Sequence, residues 1–450
     1  MAEVSPPAAR SAPGLVVAAP AGGSGTSTVT LGLLAALRAR GVAVAAVKAG
    51  LDPVAPAWHA AVTGRPSFHL DSWAMGPDLL DRIIRRAGEG AELVLCEGRM
   101  GLFDGAAERG AAGTGATADI AAHTGWPVLL VLNGRGLAQS AAALVRGFAA
   151  HRPDVRIAGV VLNTASVARD RRLAADAVAA LGIPVLGALP DDPDIALPAP
   201  GAGDPSGVAP PDPTAPAVAR RLDTLGRLIA ANLDLDRLCA LATPAVCRAG
   251  GPGPALPPLA QRIAVAHDDA FGLLYPHVLE GWRAAGAELM VFSPLADEAP
   301  PRYADAVYLP GGAPERHAGA LAAARRFRDG LRSVAARGPV YGEGGGYAIL
   351  GEALDTDNGT FPMAGLLGLR TSARGTRRDD GGYRRARLLA DHPLGAAGTV
   401  VAACEGAHVT VTDAGLDDPL FAAAEADGAV PVRCGGRRGT VSGSFLHVLA

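Results

Sequence analysis

The chain has 450 residues, enough for two or three domains that each bury a full core. Its net charge of -3 removes the electrostatic case for binding nucleic acid or an anionic membrane, and no apolar run approaches the roughly 20 residues that span a bilayer. Five cysteines (Cys96, Cys239, Cys247, Cys404 and Cys434) are scattered without a CxxC pair, which argues against a zinc site or disulfide framework and fits a reducing cytoplasm.

Residues 1–13 are rich in Pro and Ala and lack the basic start and apolar core of a signal peptide, so they read as a disordered N-terminus. Residues 15–19 form a short buried strand, residues 20–25 a turn of small residues, and a helix opens at Ser27 and runs to Arg40. A glycine-rich turn between a strand and a helix makes an anion cradle: backbone N–H groups crowd inward and the helix N-terminus adds positive potential. Gly22, Gly23, Ser24, Gly25, Thr26, Ser27 and Thr28 are therefore the candidate nucleotide-binding residues. A nucleotide-hydrolysing protein carries lysine at the position of Thr26, to reach the outer phosphates.

The next strand covers residues 42–47 and places Lys48 at its carboxyl end, where open α/β sheets hold their ligands. A helix over 77–87 leads to a strand at 93–96 and the turn Glu97-Gly-Arg-Met-Gly-Leu-Phe-Asp-Gly105. Strands follow at 128–132, 157–162 and 184–189, with helices near Ala118, Leu137 and Arg171, an alternation that predicts a doubly wound parallel sheet. The segment 190–216 is loaded with Pro, Gly and Asp and reads as a loop; short helices cover 217–242. A linker at 243–258 precedes a second α/β domain, 259–450. Its strands are expected at 262–266, 288–292, 306–309 and 339–342, and its helices at 271–285 and 315–337.

Several stretches together resemble the cobyrinate (hydrogenobyrinate) a,c-diamide synthase family, glutamine-dependent amidotransferases of corrinoid biosynthesis. They are Ala19-Pro-Ala-Gly-Gly-Ser-Gly25, Lys48-Ala-Gly50 with Asp52, Thr63-Gly-Arg-Pro-Ser67 with Leu70-Asp71, and Glu97-Gly98 with Met100-Gly-Leu-Phe-Asp-Gly105. Leu309-Pro-Gly-Gly312 with Pro314-Glu315, and Ser444-Phe-Leu-His447, complete the set in family order. The resemblance implies a P-loop, dethiobiotin-synthetase-like synthase domain over 14–242 and a class I glutamine-amidotransferase-like domain after the linker. The first would use ATP and Mg²⁺ to activate two corrinoid carboxylates as acyl phosphates; the second would split glutamine through a cysteine at a strand-to-helix turn, with a C-terminal histidine as base. It also implies a corrinoid small molecule as partner and a homodimer; for an impaired member the alternative is pairing with an active paralogue.

The chain departs from that pattern at both centres. The nucleophile turn reads Tyr341-Gly-Glu-Gly-Gly-Gly-Tyr347, with Gly344 at the cysteine position, which leaves His447 as a base without a nucleophile. Thr26 removes a charge-assisted contact worth roughly 1.5–3 kcal/mol. Leu51, Pro53 and Ala55 stand where the family has a Pro-Asp-aromatic run closed by a second Asp, leaving Asp52 as the candidate metal ligand of that stretch. Asn133 ends a strand where the family usually has Asp, and a His-Glu-aromatic-His stretch survives only as Glu405-Gly-Ala-His408. A family His-Leu-Gly stretch is replaced by residues 199–203. The expected reading is an impaired member, with two alternatives: a ligase using free ammonia, or a non-catalytic scaffold or regulator.

Individual residues keep two readings. Ser27 and Thr28 either hold Mg²⁺ through a hydroxyl or cap the helix. Asp52 and Glu97 are metal-ligand candidates or solvated loop acids, and Lys48 is the candidate replacement cation. Arg65, with Arg99 nearby in the pattern, and Asp71 and Asp104 are substrate candidates; the two acids also suit turns. Gly311 and Gly312 would shape an oxyanion site from backbone N–H groups. Cys404 and Cys434 do not sit on an elbow and read as buried small residues.

Overall fold

The computed structural model describes residues 11–52, 54–192, 215–247, 256–374, 382–406, 409–425 and 430–450. Described residues up to 247 form one compact unit and those from 256 onward the other.

The first unit runs β1 (Pro13–Ala18), α1 (Thr26–Ala39), β2 (Val44–Ala49), α2 (Ala55–Thr63), β3 (Phe68–Leu70), α3 (Pro77–Gly88), β4 (Leu93–Glu97), α4 (Thr117–Thr124) and β5 (Val128–Asn133). It continues with α5 (Ser140–His151), β6 (Ile157–Asn163), α6 (Ala168–Ala179), β7 (Val185–Ala188), α7 (Pro216–Asn232), α8 (Leu235–Leu241) and β8 (Thr243–Pro244). The strands order as β3-β2-β4-β1-β5-β6-β7, all parallel, with β8 added antiparallel to β1. Apolar runs such as Leu15-Val16-Val17 are wholly buried because both faces of a parallel sheet are covered. Helix α1 packs Val29, Leu33, Leu34 and Leu37 into that core, at the spacing of one helical face.

Parallel pairing in the order β2-β4-β1 sets the carboxyl ends of these three strands side by side, at the edge where open α/β sheets bind ligands. In register, Glu97 lies beside Lys48 on one side and Val17 on the other.

The second unit begins with β9 (Arg262–Ala266), α9 (Pro276–Ala284), β10 (Glu288–Phe292), β11 (Ala306–Leu309), α10 (Ala318–Ala323), α11 (Arg325–Ala335), β12 (Val340–Glu343) and α12 (Gly345–Leu350). It goes on through β13 (Ala353–Thr356), β14 (Gly359–Pro362), β15 (Arg370–Ser372), β16 (Tyr383–Leu388), β17 (Val400–Glu405), β18 (Thr410–Asp413), β19 (Phe421–Glu425), β20 (Val432–Cys434), β21 (Gly436–Arg438), β22 (Val441–Ser444) and β23 (Leu446–Val448). The main sheet orders β10-β9-β11-β12-β22-β21, parallel except for β21; two smaller sheets order β14-β13-β15-β18 and β20-β19-β16-β17-β23. The α/β fold class expected from the sequence is the one observed.

Several expectations are corrected. The strand placed at 42–47 begins at Val44 and includes Lys48. Helix 271–285 begins only at Pro276, because the residue before a proline avoids the helical region and Tyr275 is extended. The single helix at 315–337 is a 3₁₀ turn and two helices broken at Ala324. The Phe327 N–H donates to Asp297 Oδ1 at 3.0 Å, a cap supplied from 30 positions away. The expected linker starts too early: β8 pairs Pro13 with Pro244, and Val246 N–H donates to Thr124 O at 2.8 Å, while 248–255 lie outside the described residues. Of the N-terminus expected to be disordered, residues 1–10 lie outside the described residues, whereas Ser11 donates to Ala245 O and Pro13 opens β1. Residues 193–214 and His408, which carry two of the family departures, also lie outside them. Cys404 and Cys434 are half-buried strand residues rather than core ones.

Candidate active sites

The first candidate site lies at the carboxyl ends of β1, β2 and β4. Gly25, at φ +92°, turns the chain into α1, and a Cβ there would fall 2.0 Å from Asn163 Nδ2; only glycine meets both demands. Asn163, at the end of β6, in turn donates to Ser24 O at 3.0 Å and pins the loop. Gly22 and Gly23 have open space around them, Thr26 begins the helix, and Thr28 follows half-exposed.

Ser27 does not cap the helix. Its hydroxyl donates to Glu97 Oε1 at 2.7 Å. Lys48 Nζ donates to the same oxygen and to Gly98 O, each at 2.8 Å, and stands 3.6 Å from Asp52 Oδ2. The other carboxylate oxygen, Oε2, meets His59 Nε2 at 2.7 Å, and His59 Nδ1 meets the Ser67 hydroxyl at 3.0 Å. Lys48, Glu97, His59 and Ser67 are all buried. Burial alone would push Glu97 up, but Lys48 and His59 outweigh it and hold the carboxyl well below the usual range. Burial likewise disfavours the Lys48 ammonium, yet Glu97 and Asp52 raise its pKa, and Lys48 lowers that of Asp52 against its own burial. Asp52 Oδ1 accepts from the N–H groups of Val54 and Ala55, and its carbonyl accepts from His69 Nε2 at 2.8 Å. Burial pushes His69 down to about 4, so that ring is neutral at neutral pH.

The sequence reading therefore brought Ser27, Lys48, Asp52 and Glu97 together, and missed His59, Ser67, His69 and Asn163. Asn163 had a readable signal, a polar residue ending a buried strand. His59 and Ser67 belong to α2 and the turn before β3, elements not foreseen.

The substrate candidates do not join this cluster. Arg65 donates to the carbonyls of Glu89 and Gly90, ahead of β4 and so at the amino end of the sheet, opposite Lys48. Asp71 is fully buried and its Oδ1 accepts from the N–H groups of Trp73 and Ala74, both at 2.9 Å, which stabilises a turn. Asp104 Oδ2 accepts from Gly101 N–H at 2.8 Å, closing the 97–105 turn. Arg99 packs its stem over Gly50.

The second candidate site is the turn from β12 into α12. Gly344 holds φ +50° and ψ −118°, a conformation L side chains rarely adopt, and its N–H donates to Ser444 O at 2.9 Å. A Cβ at 344 would lie 2.7 Å from both Cε1 and Nε2 of His447, so the imidazole stands in the volume a side chain there would need. The ring also closes on Gly311, whose Cβ would fall 2.3 Å from its Cε1, while Gly312 packs on the Ala270 carbonyl. In register across β17 and β23, His447 faces Cys404, and Tyr275 lies edge-on to the ring at 6.0 Å.

Beside this turn, buried Glu343 accepts from Tyr308 Oη at 2.8 Å, Tyr341 Oη at 3.0 Å and Val448 N–H at 3.3 Å, and lies 3.9 Å from His447 Nδ1. Burial pushes its pKa up to about 7, although those three donors oppose the shift. Its ordinary value is 4.5, so between pH 4.5 and 7 folding takes up a proton and stability falls as pH rises. Glu343→Gln is expected to flatten that fall, worth on the order of 3 kcal/mol between pH 4.5 and 7.5. Trp282, 5.3 Å from the Tyr308 ring, reports it in urea titrations at several pH values. Parallel pH profiles for the two proteins would refute the assignment.

Two family models divide the chain as the fold does. One, described as the CobQ/CobB/MinD/ParA nucleotide binding domain, matches residues 15–202; the other, the CobB/CobQ-like glutamine amidotransferase domain, matches 262–450. The hydrogenobyrinate a,c-diamide synthase of Mesorhizobium japonicum is 46% identical over 437 residues, covering 97% of this chain and 98% of that one. The enzymes of the same name from Rhodobacter capsulatus (46% over 443 residues) and Agrobacterium fabrum (44% over 439 residues) cover the same shares of both chains. With both modules in order and such identity along nearly its whole length, this chain belongs to the hydrogenobyrinate a,c-diamide synthase family.

Proposed function

We propose that this chain is a corrinoid-pathway relative whose glutaminase half is silent and whose synthase half retains a nucleotide site built around Lys48. The carrying observation is Gly344: the elbow keeps its left-handed backbone, but it holds no nucleophile and the His447 ring occupies the space. By family, the substrate is a corrinoid with free a and c carboxylates.

The residues of the first site fit ATP and Mg²⁺. The open glycines and the start of α1 offer backbone N–H groups to phosphates. Ser27 and Glu97, joined at 2.7 Å, supply the hydroxyl and carboxylate that would hold the cation, with Asp52 at the rim. When bound, Mg·ATP supplies the activation of a carboxylate toward amide formation. Lys48 is the cation of the site in place of the loop lysine that Thr26 replaces. By family resemblance Gly311 and Gly312 would shape an oxyanion site, which has no chemistry to serve while position 344 carries no nucleophile.

The intact grouping of Ser27, Lys48 and Glu97 favours one second reading, a ligase that takes free ammonia. The tests separate these readings. Glutamate release from glutamine, with Mg·ATP and hydrogenobyrinate present, is expected to stay at background. Release at the rate of an equipped relative would overturn the silent-glutaminase reading, and loss of that release in Cys404→Ser would trace it to the thiol facing His447. Mass-detected amidation of hydrogenobyrinate at saturating ammonium establishes the ammonia-dependent ligase. Absence of nucleotide binding by calorimetry leaves a scaffold or regulator, as a homodimer or with an active paralogue.

A further inference from the structure

Glu97 is held from two directions, and only one of them faces the loop. Oε1 accepts from Ser27 and Lys48; Oε2 is occupied by His59 alone among the contacts given above. A carboxylate turns freely about its last bond, because that torsion is broad and roughly two-fold. Without a partner on Oε2, the group can rotate so that both oxygens serve the Lys48 ammonium, and the oxygen aimed at Ser27 is lost.

We infer that His59 is a positioning residue for nucleotide binding: its Nε2–H holds Glu97 Oε2 so that Oε1 stays aimed at Ser27 at the start of α1. The inference rests on the reading of Ser27 and Glu97 as the pair that holds the cation. The tautomer follows from the neighbours. A carboxylate only accepts, so Nε2 carries the proton, and in the neutral ring Nδ1 is then the acceptor for the Ser67 hydroxyl, 3.0 Å away. Ser67 thus fixes the ring as the ring fixes the acid. His59 comes from α2, Ser67 from the turn before β3, Glu97 from β4 and Ser27 from α1, so the relay joins four parts of the unit at one carboxylate. His59 and Ser67 are too deeply buried to act on a substrate directly. Outer partners that orient a metal-holding group typically change metal affinity 10- to 100-fold when removed.

Two variants of similar size separate positioning from packing. Gln at 59 places its amide N–H where Nε2 was and keeps the bond to Glu97; Asn places it near Nδ1 and cannot reach. Calorimetry of the full-length chain with ATP, at rising Mg²⁺, is expected to show His59→Gln within threefold of wild type. His59→Asn is expected to lose at least tenfold in Mg²⁺-dependent affinity while metal-free ATP binding is unchanged. Nitrogen NMR of the ring is expected to show the Nε2–H tautomer. Equal effects of both variants on thermal stability with no change in Mg²⁺ dependence, or an Nδ1–H ring, would overturn this inference alone. A wild-type chain that binds no nucleotide would instead bring down the functional reading on which it rests.

Discussion

Replacing Glu97 by alanine is expected to destabilise the N-terminal unit by about 3–5 kcal/mol, the usual cost of stripping one partner from a buried ion pair. The Lys48 ammonium would remain almost wholly inside, with Gly98 O and the more distant Asp52 as its remaining acceptors, and Ser27 and His59 would each lose a bond. The loss belongs to the orphaned charge rather than to the volume removed. Lys48→Met with Glu97→Leu, which removes both charges, is therefore expected to be more stable than Glu97→Ala alone. The same grouping sets a pH dependence. Glu97 is held below its ordinary 4.5, so its contribution is present above that pH and is lost as pH falls further. Lys48 is raised above 10.5, so its contribution is complete below that pH and fades above it. Urea titration in a Trp282→Phe background, where only Trp58, Trp73 and Trp126 of the N-terminal unit emit, measures all three proteins. A Glu97→Ala variant as stable as wild type would dispose of the ion-pair argument.

Gly344→Cys is expected to gain glutamine hydrolysis above the wild-type background, because the elbow backbone and the His447 base are already in place. A missing nucleophile costs on the order of 10⁴ to 10⁶ in rate, so even poor recovery is measurable. The gain comes at a structural cost. A side chain at φ +50° is strained by about 1–3 kcal/mol, and the imidazole 2.7 Å from the new Cβ must shift. Gly344→Ala carries the same strain and overlap without the thiol, and is expected to lose the stability and gain nothing. Wild type and Gly344→Cys releasing glutamate at equal rates would refute the account of the second site.

The two experiments probe side chains whose legibility in the sequence differed. The phosphate-type loop, Lys48 and Glu97 were readable because strand, glycine turn and helix are local patterns, and because ends of parallel strands gather ligands. The Gly344 departure was readable because it stands inside a recognisable turn. By contrast, Arg65, Asp71 and Asp104 read as substrate groups because they are polar and lie in matching motifs. Their partners, the carbonyls of Glu89 and Gly90 and the N–H groups of Trp73, Ala74 and Gly101, are backbone atoms whose positions no spacing reveals. The strands from β13 onward, short and interrupted by polar residues, gave little periodicity to read.

By itself, then, the order of residues determined the α/β class, the cradle at 22–28 and the absence of a thiol at 344, since each depends on neighbours in the chain. The tertiary structure decided that Ser27 serves Glu97 instead of its own helix, that His59 and Ser67 complete that carboxylate, and that the His447 ring fills the space beside Gly344. Those outcomes depend on which strand ends and loops meet across dozens of residues, and burial makes each such meeting a matter of satisfied hydrogen bonds and paired charge.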